Sequence, residues 1–287
     1  GDKRKGDGDK GGGNGKDKRQ KKHYIPGRGR GQFKEGGRGG PTSGFERLRV
    51  PGVNGVLITC DVKVEQLCSA ECFMAFEELA RERYPAIFAE PAAAPVDNIE
   101  AAIAQEAAAE KEKAVFGFIK TNVKGIIFVE FRHPGIDPAA LCTDYLKQVK
   151  ESGRAKTKYA VRMTPVMGTC YASYDSIAKA AAPLIEKLLG PDMEETTYAI
   201  MFKKRNNDEM DRETTIKQIA ELVDKKHKVN LTTPAKCLLI DIMTNVACLA
   251  IVDDYITLRR YNIHELAGIG PSNAPKPKTA AAAGAKP

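Results

Sequence analysis

These 287 residues encode an α+β protein of two consecutive mixed modules between polar ends, and three observations lead there. Apolar residues make up 42% of the chain, enough to bury a substantial core, so wholesale disorder is excluded. Short apolar runs bounded by Gly, Pro, Asp or Asn, the mark of strands, alternate with segments whose apolar residues recur at helical spacing. The charge is also segregated. Residues 1–47 hold 14 Lys and Arg against 6 Asp and Glu, which accounts for the whole formal charge of +8. The tail adds only Lys276, Lys278 and Lys286, so residues 48–270 carry 28 bases against 31 acids and the part expected to fold is slightly acidic.

The head, residues 1–47, is rich in Gly, Lys, Asp and Arg and nearly free of large apolar side chains. It cannot bury enough surface to offset the entropy of ordering, so it is expected to be disordered unless bound. Within it, GRGRGQFKEGGRGG runs from Gly27 to Gly40, with Arg28, Arg30 and Arg38 spaced by glycines as in RGG-type RNA-binding tails. Arginine offers phosphate pairing and base stacking, and glycine lets the backbone follow an irregular strand. A solubilising tail is the alternative.

Order is expected from Phe45. The run GVLITCD, residues 55–61, suits a buried strand. A helix follows over 64–83, with Leu67, Cys68, Ala75, Phe76, Leu79 and Ala80 at roughly helical spacing, closed by Tyr84-Pro85. Residues 89–113 are low in complexity and rich in Ala, Pro and Glu, an insertion with high helix propensity and little to bury. Strands resume at 114–119 and 125–131, a helix over 138–150 carries Leu141, Tyr145, Leu146 and Val149 on one face, and 159–166 makes a last strand. Strand, helix, strand, strand, helix, strand is the ferredoxin-like split βαβ order, which assigns residues 48–167 to a ferredoxin-like domain.

The second module is expected over 168–267. Residues 173–189 are helical but contain Pro183, which suits the first turn of a new helix, so two short helices are expected there. Residues 197–203 make a strand. Asp211 caps a helix in which Ile216, Ile219, Ala220 and Val223 share a stripe, and 237–243 and 246–252 make a strand pair. Residues 268–287 are a basic, disordered tail.

Some functional classes drop out. The most apolar stretch, 237–252, is interrupted by Asp241, Thr244 and Asn245 and is too short to span a bilayer, so no membrane partner is expected. No basic start leads into an apolar signal core. Seven cysteines, an odd number without a Cys-x-x-Cys pair, read as reduced core residues of an intracellular, soluble protein. Cys68 and Cys72 are one helical turn apart, but no His or acid pair completes a metal geometry, and His23, His133, His227 and His264 are scattered, so no metal site is expected.

Several strings carry a family resemblance. They are GVLITCD at 55–61, RMTPV at 162–166, CYA at 170–172, TYAIMFKKRNN at 197–207, HKVNLTTP at 227–234 and DDYITLRRYNIHEL at 253–266. Across residues 48–267 the chain resembles the THUMP-domain adaptor proteins of tRNA cytidine acetylation. The resemblance implies a ferredoxin-like domain followed by a THUMP domain at 168–267, the pair gripping the acceptor stem and 3′ end of tRNA. It also implies a partner, a separate RNA cytidine acetyltransferase using acetyl-CoA and ATP, which forms N4-acetylcytidine in the D-arm of serine and leucine tRNAs. The adaptor itself has no cofactor and no catalytic residue, and a nuclear, nucleolar or cytoplasmic location follows.

Within the matching strings, Lys203, Lys204 and Arg205, followed by Asn206 and Asn207, sit where an apolar strand ends, so cationic and amide donors are expected together at a sheet edge. Such a cluster pairs with phosphates through charge while the amides reach sugar or base edges. A charged strand terminus is the plain alternative. Arg162 is carried over as an RNA contact, with a domain-fixing ion pair as its alternative. The stretch from Lys225 to Lys228 closes a helix and suits the helix dipole, and Arg259 and Arg260 have Asp253 and Asp254 for local compensation. Two other classes remain for comparison. One is a THUMP-bearing methyltransferase or thiolation enzyme, which needs a glycine-rich cofactor loop absent from the segment after 267, where Gly268 to Pro271 reads as a tail turn. The other is a general RNA-binding or ribosome-assembly protein driven by the arginine-glycine head.

Overall fold

The computed structural model describes residues 44–88 and 114–269, all within one compact unit. The head arginines Arg28, Arg30 and Arg38, the insertion and most of the tail lie outside them.

Two sheets make the frame. The first contains β1 (Gly55–Cys60), β2 (Phe116–Lys120), β3 (Ile126–Phe131) and β4 (Ala160–Val166), in the order β2-β3-β1-β4 and antiparallel throughout. With two helices in the connections, this is the split βαβ topology expected from the element order. Val56, Leu57 and Ile58 of β1 are buried on both faces, which is why the strand is a continuous apolar run rather than an alternation.

On one face, Val56, Ile58, Val129 and Met163 meet α2 (Glu65–Arg83) and α3 (Pro138–Ser152) through Cys72, Phe76, Leu141 and Tyr145. In α2 the buried stripe includes Cys68, Cys72, Phe76 and Leu79, whereas Leu67, expected on it, is 54% exposed. Sequence defines the ends of α3. The Asp137 side chain accepts from the Ala139 N–H, Pro138 opens the first turn, and Gly153 takes the left-handed conformation (φ 65°) that lets its N–H reach the Val149 carbonyl. On the opposite face, Leu57, Ile126 and Phe128 meet Phe45 of α1 (Gly44–Arg47), Leu48, and Met243, Val246 and Cys248 of the second sheet.

The second sheet has the order β5-β9-β8-β6-β7, from β5 (Gly168–Tyr171), β6 (Thr197–Arg205), β7 (Lys228–Val229), β8 (Lys236–Met243) and β9 (Val246–Asp253). Strand β6 runs parallel to β7 and β8, and the other pairs are antiparallel. Its outer face carries Leu238, Ile240 and Ile242 against α4 (Tyr174–Leu189) and α5 (Arg212–Ala220).

Helix α4 corrects the expectation of two short helices. It continues through Pro183 because Ile177, Ala181, Ile185 and Leu189 form one buried i, i+4 stripe across the proline, which faces outward. Burial of that stripe outweighs the lost backbone bond, which costs about 3 kcal/mol in a helix interior.

After β9 the chain turns back. Tyr255, Leu258, Tyr261 and Ile263 enter the same core as α2 and α3, the Tyr261 hydroxyl donates to the Asp253 carbonyl at 3.0 Å, and α6 (Ile263–Leu266) packs against α3 and β4. Because Leu239 and Val252 of the second sheet share that core, the sheets are joined by a continuous apolar seam.

Candidate nucleic-acid interface

Strand alternation decides which basic residues meet. In β6, Lys203 and Arg205 point to one side and Lys204 to the other. The register Lys203↔Asp241 and Arg205↔Met243 puts the first two on the sheet face turned toward β4, beside Leu239 and Met243. Arg162 of β4 comes from the opposite sheet, and its strand is bridged to Asn262. Arg162, Lys203 and Arg205 therefore converge at the seam.

Lys203 is half-buried. Its Nζ donates to the Tyr255 hydroxyl at 3.1 Å and lies 5.8 Å from that ring's centre. Burial pushes its pKa down; Asp241 opposes this, while the positive charges of Arg162, Arg205 and Arg260 push the same way.

Asp241 is the carboxylate at the centre of the group. It is 5% exposed, and Arg205 Nη1 stands 3.7 Å from its Oδ1, an ion pair too long to be a hydrogen bond. Burial raises its pKa above the usual carboxylate value, against the pull of Arg205, Lys203 and Arg162. Three buried polar atoms at this place, Arg162 Nε, Arg205 Nη1 and Asp241 Oδ1, make no hydrogen bond.

The set expected at Lys203–Asn207 is thus divided. Lys204 Nζ donates to the Met210 carbonyl at 2.9 Å on the α5 side. Asn207 corrects the expectation of a presented amide: it is buried, its Nδ2 donates to the Thr244 carbonyl at 2.7 Å, and its Oδ1 accepts from the Met210 N–H at 2.9 Å, so the side chain clamps the turn after β6. Asn206 is exposed at a left-handed φ of 52°.

The other basic stretches resolve as well. Lys225 to Lys228 follow turns rather than the end of α5, so the helix dipole does not explain them. Lys226 donates to the carbonyls of Pro191 and Met193, Lys228 pairs with Glu195 at 2.6 Å, and the buried His227 ring lies between the Thr196 N–H and the Gly190 carbonyl. Asp253 and Asp254 pair with Lys236 and Lys147, and neither compensates Arg259 or Arg260.

Among the described residues one group has metal-ligand spacing, Cys68, Glu71 and Cys72 within 4.8 Å. The acid that the sequence reading did not place beside the cysteines is Glu71. Its carboxylate is engaged by the N–H groups of Lys158, Tyr159 and Ala160 at 2.8, 2.5 and 3.1 Å, stitching α2 to the start of β4. Cys68 and Cys72 are buried and, like the other five cysteines, unbridged.

The THUMP domain family model matches residues 171–252, from the end of β5 to the end of β9. The mouse THUMP domain-containing protein 1 is 30% identical over 274 residues, 90% of this chain and 75% of its own. The chain belongs to the THUMP domain-containing protein 1 family.

A protein from Saccharomyces cerevisiae named tRNA acetyltransferase TAN1 is 25% identical over 251 residues, 75% of this chain and 85% of its own. A solution structure of the THUMP domain of THUMP domain-containing protein 1 is 30% identical and covers 27% of this chain and 81% of its own, with a TM-score of 0.24. Among the described residues of this THUMP-family chain, no helix is long and apolar enough to cross a membrane.

The matched THUMP segment supplies Lys203, Arg205 and Asp241, while Arg162 precedes it and Tyr255 and Arg260 follow it. Sequence reasoning missed Asp241 and left Arg260 ambiguous. The signal for Asp241 was present: an acid in the middle of the most apolar run is either paired or functional. Nothing local pointed to Arg260, because its neighbours at the seam come from other strands.

Proposed function

We propose that this chain is a non-catalytic tRNA-binding adaptor that presents tRNA to a separate RNA cytidine acetyltransferase. The observation that carries this reading is the seam cluster. Arg162, Lys203 and Arg205 gather around one carboxylate, with Arg260 within electrostatic reach of Lys203, in a region whose net charge is slightly acidic. Guanidinium and ammonium groups held together with a solvent-facing side suit a phosphate backbone, whose contacts position RNA. The choice of RNA and of reaction is supported by the name of the yeast relative, a tRNA acetyltransferase. On this reading the partner enzyme holds acetyl-CoA and ATP, the target is a D-arm cytidine of serine and leucine tRNAs, and the acceptor stem and 3′ end are gripped by the two sheets acting as one body. The site of action is the nucleus or nucleolus.

The first test is acetylcytidine in tRNA from cells lacking the protein, where a loss is expected and normal levels reject the role. A second reading, general RNA binding through the arginine-glycine head, is favoured by Arg28, Arg30 and Arg38. Deleting residues 1–47 separates the two. The adaptor reading expects lower affinity and a shallower salt slope, with preference for tRNA carrying its single-stranded 3′ end retained. Preference lost with the head favours the second reading.

A further inference from the structure

The segment that follows β9 does something unusual with its backbone. Arg259, Arg260 and Tyr261 have φ of 53°, 54° and 61°, three consecutive non-glycine residues in the left-handed region. L-residues visit that region singly, at roughly 1–2 kcal/mol each, and such strain persists only where the surroundings over-determine it. Here they do. Tyr261 is fully buried with its hydroxyl bonded to the Asp253 carbonyl, Leu258 is buried beside it, the Arg260 N–H reaches the Tyr255 carbonyl at 2.7 Å, and Asn262 bridges to Arg162 of β4. The turn therefore ties Arg260 and Arg162 to one another through the backbone. It leaves the Arg260 side chain exposed within electrostatic reach of Lys203 and Tyr255.

The second unusual feature is Asp241. It stands between Leu239, which belongs to the core shared with α2 and α3, and Met243, which belongs to the core on the other side of the first sheet. The groups facing it are Lys203 and Arg205 from β6, Cys248 from β9 and Arg162 from β4. Three cations therefore share one buried carboxylate, and its Oδ1 is hydrogen-bonded to none of them.

We propose that the left-handed turn and Asp241 together preorganise a socket for one phosphodiester of bound RNA, with Arg260 as its fourth cationic ligand and Asp241 as the positioning residue that gathers the cations. The proposal rests on the tRNA-binding reading above. The turn fixes where Arg260 leaves the backbone. Asp241 offsets the mutual repulsion that would otherwise drive Arg162, Lys203 and Arg205 apart into solvent before RNA arrives. The phosphate then accepts from the solvent-facing parts of these side chains, Arg260 being exposed and Arg162, Lys203 and Arg205 half-buried, and RNA meets an ordered site rather than mobile side chains.

Asp241→Asn separates positioning from simple charge by sign. If Asp241 were only a negative charge near RNA, removing it would tighten tRNA binding. As a positioning residue its loss weakens binding about tenfold, equivalent to about 1.4 kcal/mol. The experiment measures tRNA affinity across a salt series for the full chain, Asp241→Asn, Arg260→Ala and Arg260→Lys, with thermal melting to establish that each is folded. Arg260→Ala, an exposed change that leaves the core intact, is expected to lose about fivefold in affinity and just under one unit of salt slope. Arg260→Lys is expected to restore the slope but not all of the affinity. Tighter binding by Asp241→Asn, or an unchanged affinity and slope for Arg260→Ala, overturns the socket while leaving tRNA binding by the wild type standing. A wild type that does not bind tRNA overturns the adaptor reading and the socket with it.

Discussion

Two buried carboxylates, one on each sheet, receive opposite treatment. Glu130 of β3 is 3% exposed, yet each of its oxygens has its own partner: Oε1 is 2.7 Å from Arg47 Nη2, and Oε2 accepts from Arg132 Nε at 3.1 Å. The sheet is built to permit this. Gly117 pairs with Glu130 across β2 and β3, and a Cβ at Gly117 would sit 2.4 Å from the Arg132 guanidinium, which lies in the space the glycine leaves. Asp241 is almost equally buried and has more cations around it, but its Oδ1 makes no hydrogen bond. The number of opposite charges near a buried acid therefore says little. The hydrogen bonds of one set are closed and those of the other are open, and it is the open set that we propose receives a phosphate.

That contrast can be broken most sharply at the open site. Replacing Arg162 and Arg205 together by Ala is expected to lower tRNA affinity about a hundredfold, from roughly 1.4 kcal/mol per charge-assisted phosphate contact. Replacing Arg47 and Arg132 is expected to leave it within about twofold while reducing stability by about 1–2 kcal/mol. Equal losses of affinity from the two pairs would erase the distinction.

Within β6, Lys203→Ala is expected to weaken tRNA binding about fivefold and Lys204→Ala hardly at all, since alternation sends Lys204 to the Met210 carbonyl instead of the seam. The reverse ranking would place the RNA surface on the α5 side.

Relief of backbone strain gives a smaller effect. Arg260→Gly is expected to raise stability by about 1 kcal/mol in a denaturant titration, because glycine adopts positive φ readily, while losing as much tRNA affinity as Arg260→Ala. A destabilised glycine variant would show that the Arg260 side chain holds the turn.

The smallest effect is in pH. The folded-state pKa of Asp241 is raised above its unfolded value, so the folded protein takes up the proton first as pH falls, and ionisation of this group opposes folding above that pKa. Asp241→Asn is therefore expected to melt higher than wild type at neutral pH, with the advantage shrinking as pH falls through the raised pKa toward the ordinary carboxylate value. A gap that widens on acidification would mean that ionised Asp241 stabilises the fold.

Much of the fold was legible because its signals are local. The continuous apolar run at 55–60 is a strand buried on both faces, and Asp137-Pro138 and Gly153 delimit a helix from within their own neighbourhoods. The signal failed at Pro183, where a helix-breaking residue is overruled by burial on both sides, and at Leu67, which has helical spacing but faces out. In the candidate site the basic residue types of Lys203–Arg205 and of Arg162 were readable, whereas their grouping was not. Asn207 resembles its neighbour Asn206 in sequence, yet one is committed to backbone partners and the other is exposed.

By itself, the sequence determined where the charge lies, which segments become strands and helices, and which family the strings resemble, since each depends on composition or on residues a few positions apart. Tertiary structure decided that Arg162, Lys203 and Arg205 meet around Asp241 with Arg260 within reach of Lys203, and that Lys204 and Asn207 do not join them. The physical reason is register. Pairing β6 with β8 sets which side chains share a face, and the buried Tyr261 pins the returning chain against β4, and neither is encoded in any one stretch of the sequence.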